Sequence, residues 1–290
     1  MAGIDGGGTK TRVLCQDMQG KTVAIRQFGP FNINSIGESA FSDILEDITV
    51  FLKETGECTS LCIGAAGNSN YRMGELVGKA MTMAGISKWK LVGDQEIALW
   101  GALEGRPGLA VIAGTGSVCC GCNEKGELRS IGGWGHLIGD EGSGYAIGRD
   151  MLTAVTHYWD GYGEETSLAK ELKKMLLNDK QKLIAYVYEN NKSNVAKLAR
   201  LTVQEAAAGD DVAKEILCRN ARELSKQVKT LATGLSIQTG EVALLGGLLE
   251  NDTLYRAYLV EEIRRVCPEL VCVAPRQNAL IGAVLMAQIL

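Results

Sequence analysis

Residues 3–11 read GIDGGGTKT, and the same grammar returns at 111–117 as VIAGTGS. In each, an apolar run breaks into glycine and threonine, then resumes as a second run, TRVLC after the first and VCCGC after the second. That is a strand, a glycine turn and a returning strand. Neither stretch has G-x-G-x-x-G opening a helix, nor G-x-x-x-x-G-K-[ST], so dinucleotide-binding and P-loop readings fail on spacing and context. A glycine hairpin instead leaves successive backbone N–H groups open, a concavity suited to an anion. Asp5 precedes the first glycines and would repel a bare phosphate, so the pairing points to a bridging Mg²⁺. On the residues alone, an ordinary tight hairpin stays open for either turn.

Outward from the first turn come a third strand at 21–29 and helical periodicity from Glu38 to about Glu54. A short buried strand (LCIGAAG, 61–67), a helix over 72–84, the strand WKLVGD (89–94) and a helix from Gln95 follow. Strands alternating with helices predict an α/β protein with mixed β-sheets flanked by helices. At 109 the order restarts, continuing through LRSIGG at 128–133, so the two halves read as copies of one topology. Residues 150–234 are mostly helical, including TSLAKELKKMLL at 166–177. EVALLGGLLEN (241–251) reads as strand, glycine turn and helix, and ALIGAVLMAQIL (279–290) ends the chain as a helix. Two domains are expected, 1–107 and 108–278. The helix 279–290 completes the first, and 150–234 forms a helical insertion in the second.

A net charge of −4 without a cluster of basic residues argues against nucleic acid and a membrane surface as partners. No segment is apolar for long enough to span a bilayer. Nine cysteines, an odd number, with no secretory signal legible at MAGIDGGGTKT, predict reduced thiols and a cytoplasmic protein. In CCGC at 119–122 the spacing is not that of a zinc site, and strand alternation makes two of these cysteines core fillers.

Three further places carry chemistry. Asp94 ends a strand and precedes a helix, where the residues alone favour a helix N-cap. GGWGHLIGDEGSG at 132–144 holds too much glycine for a regular element and too much aromatic and charged character for a passive linker. Its Trp134, His136 and Asp140 are side chains able to reach a ligand, and a carboxylate can accept two hydrogen bonds. A structural glycine loop is the alternative. LLGG at 244–247 offers close backbone approach and a helix N-terminus to a nucleotide through Gly246 and Gly247.

The order DGGGT, strand ending in Asp, GTGS, GGWGHLIGDEGSG and LLGG resembles the sugar-kinase and actin superfamily. Within it the chain is similar to the BadF/BadG/BcrA/BcrD ATPase family, which holds N-acetylglucosamine kinases, N-acetylmuramic acid kinases and activator-type ATPases. The resemblance runs nearly end to end and includes QEAAAGDDVAKEIL at 204–217. It implies two actin-like (ribonuclease H-like) domains with an interdomain cleft, a homodimer, and ATP with Mg²⁺. It implies that the 6-hydroxyl of an N-acetylated amino sugar is phosphorylated, with Asp94 as the base that takes its proton. ATP and its phosphates would lie against Asp5, Gly6, Gly7, Gly8, Thr9, Lys10, Gly114, Thr115, Gly116, Ser117, Gly246 and Gly247, with Mg²⁺ held by Asp5 through water. The sugar would meet Asn32, Asp94, Gly133, Trp134, Gly135, His136 and Asp140. For Asn32 the residues alone equally allow an Asx-turn. Val118 departs from the Asn that similar animal enzymes carry after GTGS, which leaves the exact sugar open. A glucosamine kinase, an activator-type ATPase of a CoA-ester dehydratase or reductase, and a non-catalytic sugar sensor are the rival readings.

Overall fold

The computed structural model describes residues 1–175, 179–189, 191–251 and 253–290. Residues 176–178 and 190, which fall in the expected insertion, lie outside the described residues. Packing divides the chain into two compact units, residues 1–106 with 275–290, and residues 107–274.

The elements run β1 (Ala2–Gly6), β2 (Thr11–Gln16), β3 (Thr22–Phe28), α1 (Ile33–Ile36), α2 (Glu38–Glu54), β4 (Leu61–Ala65), α3 (Tyr71–Ala84), β5 (Trp89–Gly93) and α4 (Asp94–Leu103). The second unit holds β6 (Gly108–Ala113), β7 (Ser117–Cys122), β8 (Leu128–Gly132), α5 (Gly144–Trp159), α6 (Leu168–Lys174), α7 (Lys180–Tyr188) and α8 (Lys192–Ala208). It continues with α9 (Asp211–Gly234), β9 (Gly240–Leu245), α10 (Leu254–Val266) and β10 (Leu270–Val273), after which α11 (Ala279–Gln288) returns to the first unit.

The first sheet is ordered β3-β2-β1-β4-β5 and the second β10-β9-β6-β7-β8. Counted within each unit these are one topology: an antiparallel meander of three strands, then two strands parallel to the first. The duplicated glycine turns are the two β1–β2-type corners.

Helix α2 shows why the local elements form. It buries Phe41, Leu45, Ile48, Phe51 and Leu52, a stripe at helical spacing, in the first unit's core. Helix α11 is buried by a different means. It packs on β1 and α4 with Leu280, Ala283, Val284 and Met286 covered. A β-carbon on Gly282 would overlap the Ile97 carbonyl oxygen and stand 2.5 Å from the Gly101 nitrogen, so the two helices touch backbone to backbone there. In the second unit, α9 runs along β6, β7 and β8, and Cys119 and Cys120 are both buried.

Candidate functional site

In the first unit β1, β4 and β5 are parallel, with Gly6 opposite Ala65 and Ala65 opposite Gly93. Their carboxyl ends therefore open on one edge of the sheet, the edge where open α/β sheets receive ligands. Asp5 lies on β1, and Arg12, its cross-strand partner on β2, donates from Nη2 to Asp5 Oδ2 at 2.9 Å. Oδ1 of Asp5 has no partner among the described residues.

Asp94 begins α4 directly after β5. The N-cap place that the residues suggested for it belongs to Gly93, whose N–H donates to Glu96 Oε1 at 3.0 Å, so Glu96 satisfies that end of the helix. The Asp94 carboxylate is thus released from capping, and its Oδ1 accepts from the adjacent Gln95 N–H at 3.0 Å. Its side chain reaches solvent while protein crowds the carboxyl. Desolvation raises the pKa, the Gln95 hydrogen bond offsets part of the rise, and the negative charge of Asp5 adds to it.

The first glycine turn is tighter than its sequence suggests. The Gly7 N–H donates to the Lys10 carbonyl at 3.1 Å, which closes the hairpin. Gly8, Thr9 and Lys10 are exposed, and their backbone N–H groups have no protein partner among the described residues. Asn32 caps the short α1, and its Oδ1 accepts from the Asn34 N–H at 3.1 Å, so the Asx-turn is present. Asn70 Nδ2 donates to Asn34 Oδ1 at 2.7 Å, which gathers three asparagines beside Gly67.

In the second unit the turn 114–117 meets the 132–144 loop. The Gly114 N–H donates to the Gly116 carbonyl at 2.9 Å, while the carbonyls of Gly114 and Thr115 accept from Gly144 (2.8 Å) and Tyr145 (3.2 Å) at the start of α5. Ser117 turns both of its donors inward, its N–H to Asp140 Oδ1 at 3.4 Å and its hydroxyl to the Glu141 carbonyl at 2.7 Å. Among the described residues, the donors of this turn without a protein partner are the N–H groups of Thr115 and Gly116.

Asp140 is 4% exposed and sits at φ +61°, with its carboxylate against Gly116. His136 lies edge-on to Tyr145, ring centroids 4.7 Å apart. Trp134 is 75% exposed, in a stretch that also shows Leu137 and Ile138 to solvent. Gly133 faces Val118, and Gly135 accepts at its carbonyl from the Gly139 N–H at 2.9 Å.

The third glycine junction differs from its expectation. After β9 the chain makes a turn at 247–249, and α10 begins only at Leu254, so no helix N-terminus stands at Gly246 and Gly247. The Gly246 N–H donates to Glu250 Oε1 at 2.8 Å, which holds that turn. The close approach predicted for Gly246 is made to Ala113 at the end of β6. Gly247 is open on its side-chain face.

Sequence reasoning missed Arg12, Glu96, Asn70, Asn220 and Tyr255. Arg12 was within reach, since a hairpin places Asp5 and Arg12 opposite each other. Glu96 stands three residues after Gly93, the capping-box spacing. Asn220 on α9 and Tyr255 on α10 carried no local signal. Their contacts to Gly142 span sequence separations of 78 and 113 residues.

A family model described as the BadF/BadG/BcrA/BcrD ATPase family matches residues 2–287. The chain is 36% identical to an N-acetylmuramic acid/N-acetylglucosamine kinase of Clostridium acetobutylicum, over 99% of this chain and 97% of the relative. It is 30% identical to an N-acetyl-D-glucosamine kinase of Dictyostelium discoideum, covering 98% and 96% of the two chains. Among solved structures it is similar to one from Chromobacterium violaceum, provisionally named an N-acetylglucosamine kinase, with TM-score 0.78, 26% identity and coverage of 99% and 98%. A glucokinase of Streptomyces griseus shares the fold at TM-score 0.56 and 16% identity, covering 100% and 98%.

Proposed function

Because this chain belongs to the BadF/BadG/BcrA/BcrD ATPase family, we propose that it transfers the γ-phosphoryl group of ATP to the 6-hydroxyl of an N-acetylated amino sugar. The substrates this reading favours are N-acetylglucosamine and N-acetylmuramic acid, the sugars for which its 36% identical relative is named. The observation that carries the reading is Asp94. It is a carboxyl free of capping duty, at the carboxyl ends of the parallel strands β1, β4 and β5, with its pKa raised by desolvation. A base whose pKa is raised accepts a hydroxyl proton more readily.

In this reading the sugar O6 attacks the γ-phosphorus as Asp94 takes the hydroxyl proton. The bond from that phosphorus to the bridging oxygen breaks, and ADP leaves with the bridging oxygen. The groups this reading gives to the phosphate oxygens are the open N–H groups of Gly8, Thr9, Lys10, Thr115 and Gly116. The residues this reading gives to the sugar are Asn32, Gly133, Trp134, Gly135, His136 and Asp140. Asp5 fits Mg²⁺, because Arg12 orients its carboxylate through Oδ2 and leaves Oδ1 for the ion's water shell. Bound there, Mg²⁺ would neutralise charge on the β- and γ-phosphates. The nine free cysteines support a reducing, cytoplasmic setting.

The test is ADP release measured with N-acetylglucosamine, N-acetylmuramic acid, glucosamine, N-acetylmannosamine and glucose in turn. Strong stimulation by one or both of the first two is expected. ADP release that ignores every sugar overturns the proposal.

A further inference from the structure

Asp140 adopts a backbone conformation that side-chain-bearing residues avoid, with φ +61°. Such a residue stays put only when its surroundings hold it. The holding groups come from α9 and α10. Asn220 Oδ1 accepts from the Gly142 N–H at 3.1 Å, and the fully buried Tyr255 donates its hydroxyl proton to the Gly142 carbonyl at 2.7 Å. Gly142 lies at φ +76°, and a β-carbon there would overlap Leu224 and stand 2.9 Å from the Tyr255 oxygen. One turn farther along α9, Gln227 Nε2 reaches Glu141 Oε2 at 3.4 Å. Asn220, Leu224 and Gln227 follow one helix face, so a single straight element underlies residues 141–142.

The orientation of the Asn220 amide is fixed chemically. Its Nδ2 donates to Asp150 Oδ2 at 2.9 Å and to the Ile216 carbonyl. A carboxylate only accepts, so the amide cannot turn round without facing oxygen to oxygen. Asp150 is itself held by Arg219 at 3.0 Å and by Arg149 at 3.1 Å. The chain of contacts runs from these arginines through Asp150 and Asn220 to Gly142. From there the turn closed by the Ser143 N–H on the Asp140 carbonyl, at 3.1 Å, reaches Asp140.

We propose that Asn220 and Tyr255 are positioning residues for the amino-sugar site: by gripping both polar groups of the Gly142 backbone, they set the Asp140 carboxylate for the sugar hydroxyls. This rests on the sugar-binding role given to Asp140 above. It goes beyond that role by placing the determinants of sugar affinity on two helices that carry none of the sugar contacts.

The test is steady-state kinetics of Tyr255→Phe, of Asn220→Asp, and of Asn220→Asp combined with Asp150→Asn, each with its Tm. Tyr255→Phe deletes one hydroxyl and keeps the ring. Its sugar KM should rise about 3–10-fold while the ATP KM stays within about twofold. Asn220→Asp sets two carboxylates together and should raise the sugar KM further. Adding Asp150→Asn restores a donor between the two positions and should bring the sugar KM back toward wild type. An unchanged sugar KM in Tyr255→Phe, or equal rises for sugar and ATP, overturns the inference. If Asn220→Asp does not fold, Tyr255→Phe alone decides. Wild-type protein that turns over no amino sugar sinks the functional reading itself. Wild-type turnover with an unaltered Tyr255→Phe profile sinks this inference alone.

Discussion

Replacing Gly282 by alanine sets two physical rules against each other. In a helix interior, glycine to alanine stabilises by about 1 kcal/mol, because alanine loses less backbone freedom on folding. Gly282 lies inside α11, where that rule alone predicts a gain. Yet its β-carbon would overlap the Ile97 carbonyl and stand 2.5 Å from the Gly101 nitrogen. Backbone atoms within α4 cannot step aside as a side chain can, so α11 must lift by roughly 0.5–1 Å, a gap that forfeits a quarter to a half of each van der Waals contact across it. Leu280, Val284 and Met286 are nearly fully buried on α11. At about 1.5–3 kcal/mol for each such side chain, their combined loss is on the order of 1–4 kcal/mol, with overpacking strain of about 1–3 kcal/mol besides. Less the helix gain of about 1 kcal/mol, the net expectation is a destabilisation of roughly 1–6 kcal/mol, a large share of a typical domain's stability. Gly74 in α3 supplies the control, since a β-carbon there meets nothing within 4 Å and Gly74→Ala should stabilise by about 0.5–1 kcal/mol. Urea unfolding followed by far-ultraviolet circular dichroism measures both variants. A Gly282→Ala protein as stable as Gly74→Ala would refute the backbone contact between α11 and α4.

Asp94→Asn should lower kcat by about 10²–10⁴-fold, while calorimetry still detects sugar binding; near-wild-type turnover would remove Asp94 from the base role. The wild-type kcat/KM should fall on the acid side through a pKa above the ordinary Asp value of 3.8, since the base must be ionised and desolvation raises its pKa. An acid limb at or below that value contradicts the crowding around Asp94. Asp140→Ala should raise the sugar KM with little change in the ATP KM, and a defect confined to ATP would move Asp140 to the nucleotide. Asp210 caps α9 and also accepts from Thr166 and from Ser167, so Asp210→Ala should lose about 1–2 kcal/mol in thermal or urea unfolding. Desolvation opposes ionisation of Asp210, but these hydrogen bonds outweigh it and its pKa is lowered. Its contribution is therefore complete above the ordinary Asp pKa and fades as pH falls through the lowered one. The difference in stability between wild type and Asp210→Ala should shrink as the pH falls below the ordinary Asp value of 3.8; a difference that does not change with pH would count against it.

The local elements of this protein were legible because their causes are local. Helix α2 announces itself by its stripe from Phe41 to Leu52, and the duplicated turns by glycine between two apolar runs. Asp94 after a strand, and the glycine excess at 132–144, marked the candidate site for the same reason: each is an exception to the pattern around it. Tertiary structure decided what those residues do with their hydrogen bonds. Glu96 took the cap that Asp94 was expected to supply, Arg12 claimed one oxygen of Asp5, and Ser117 turned inward to Asp140 and Glu141. The Gly246 approach went to Ala113, and the helix expected after it begins only at Leu254. Asn220 and Tyr255 lay beyond any reading of neighbours, because their grip on Gly142 exists only once α9 and α10 have packed. Periodicity and turn chemistry act over a few residues and are written along the chain. Which donor meets which acceptor depends on distances that close only when segments a hundred residues apart come together, and in this protein those distances set the geometry of the site.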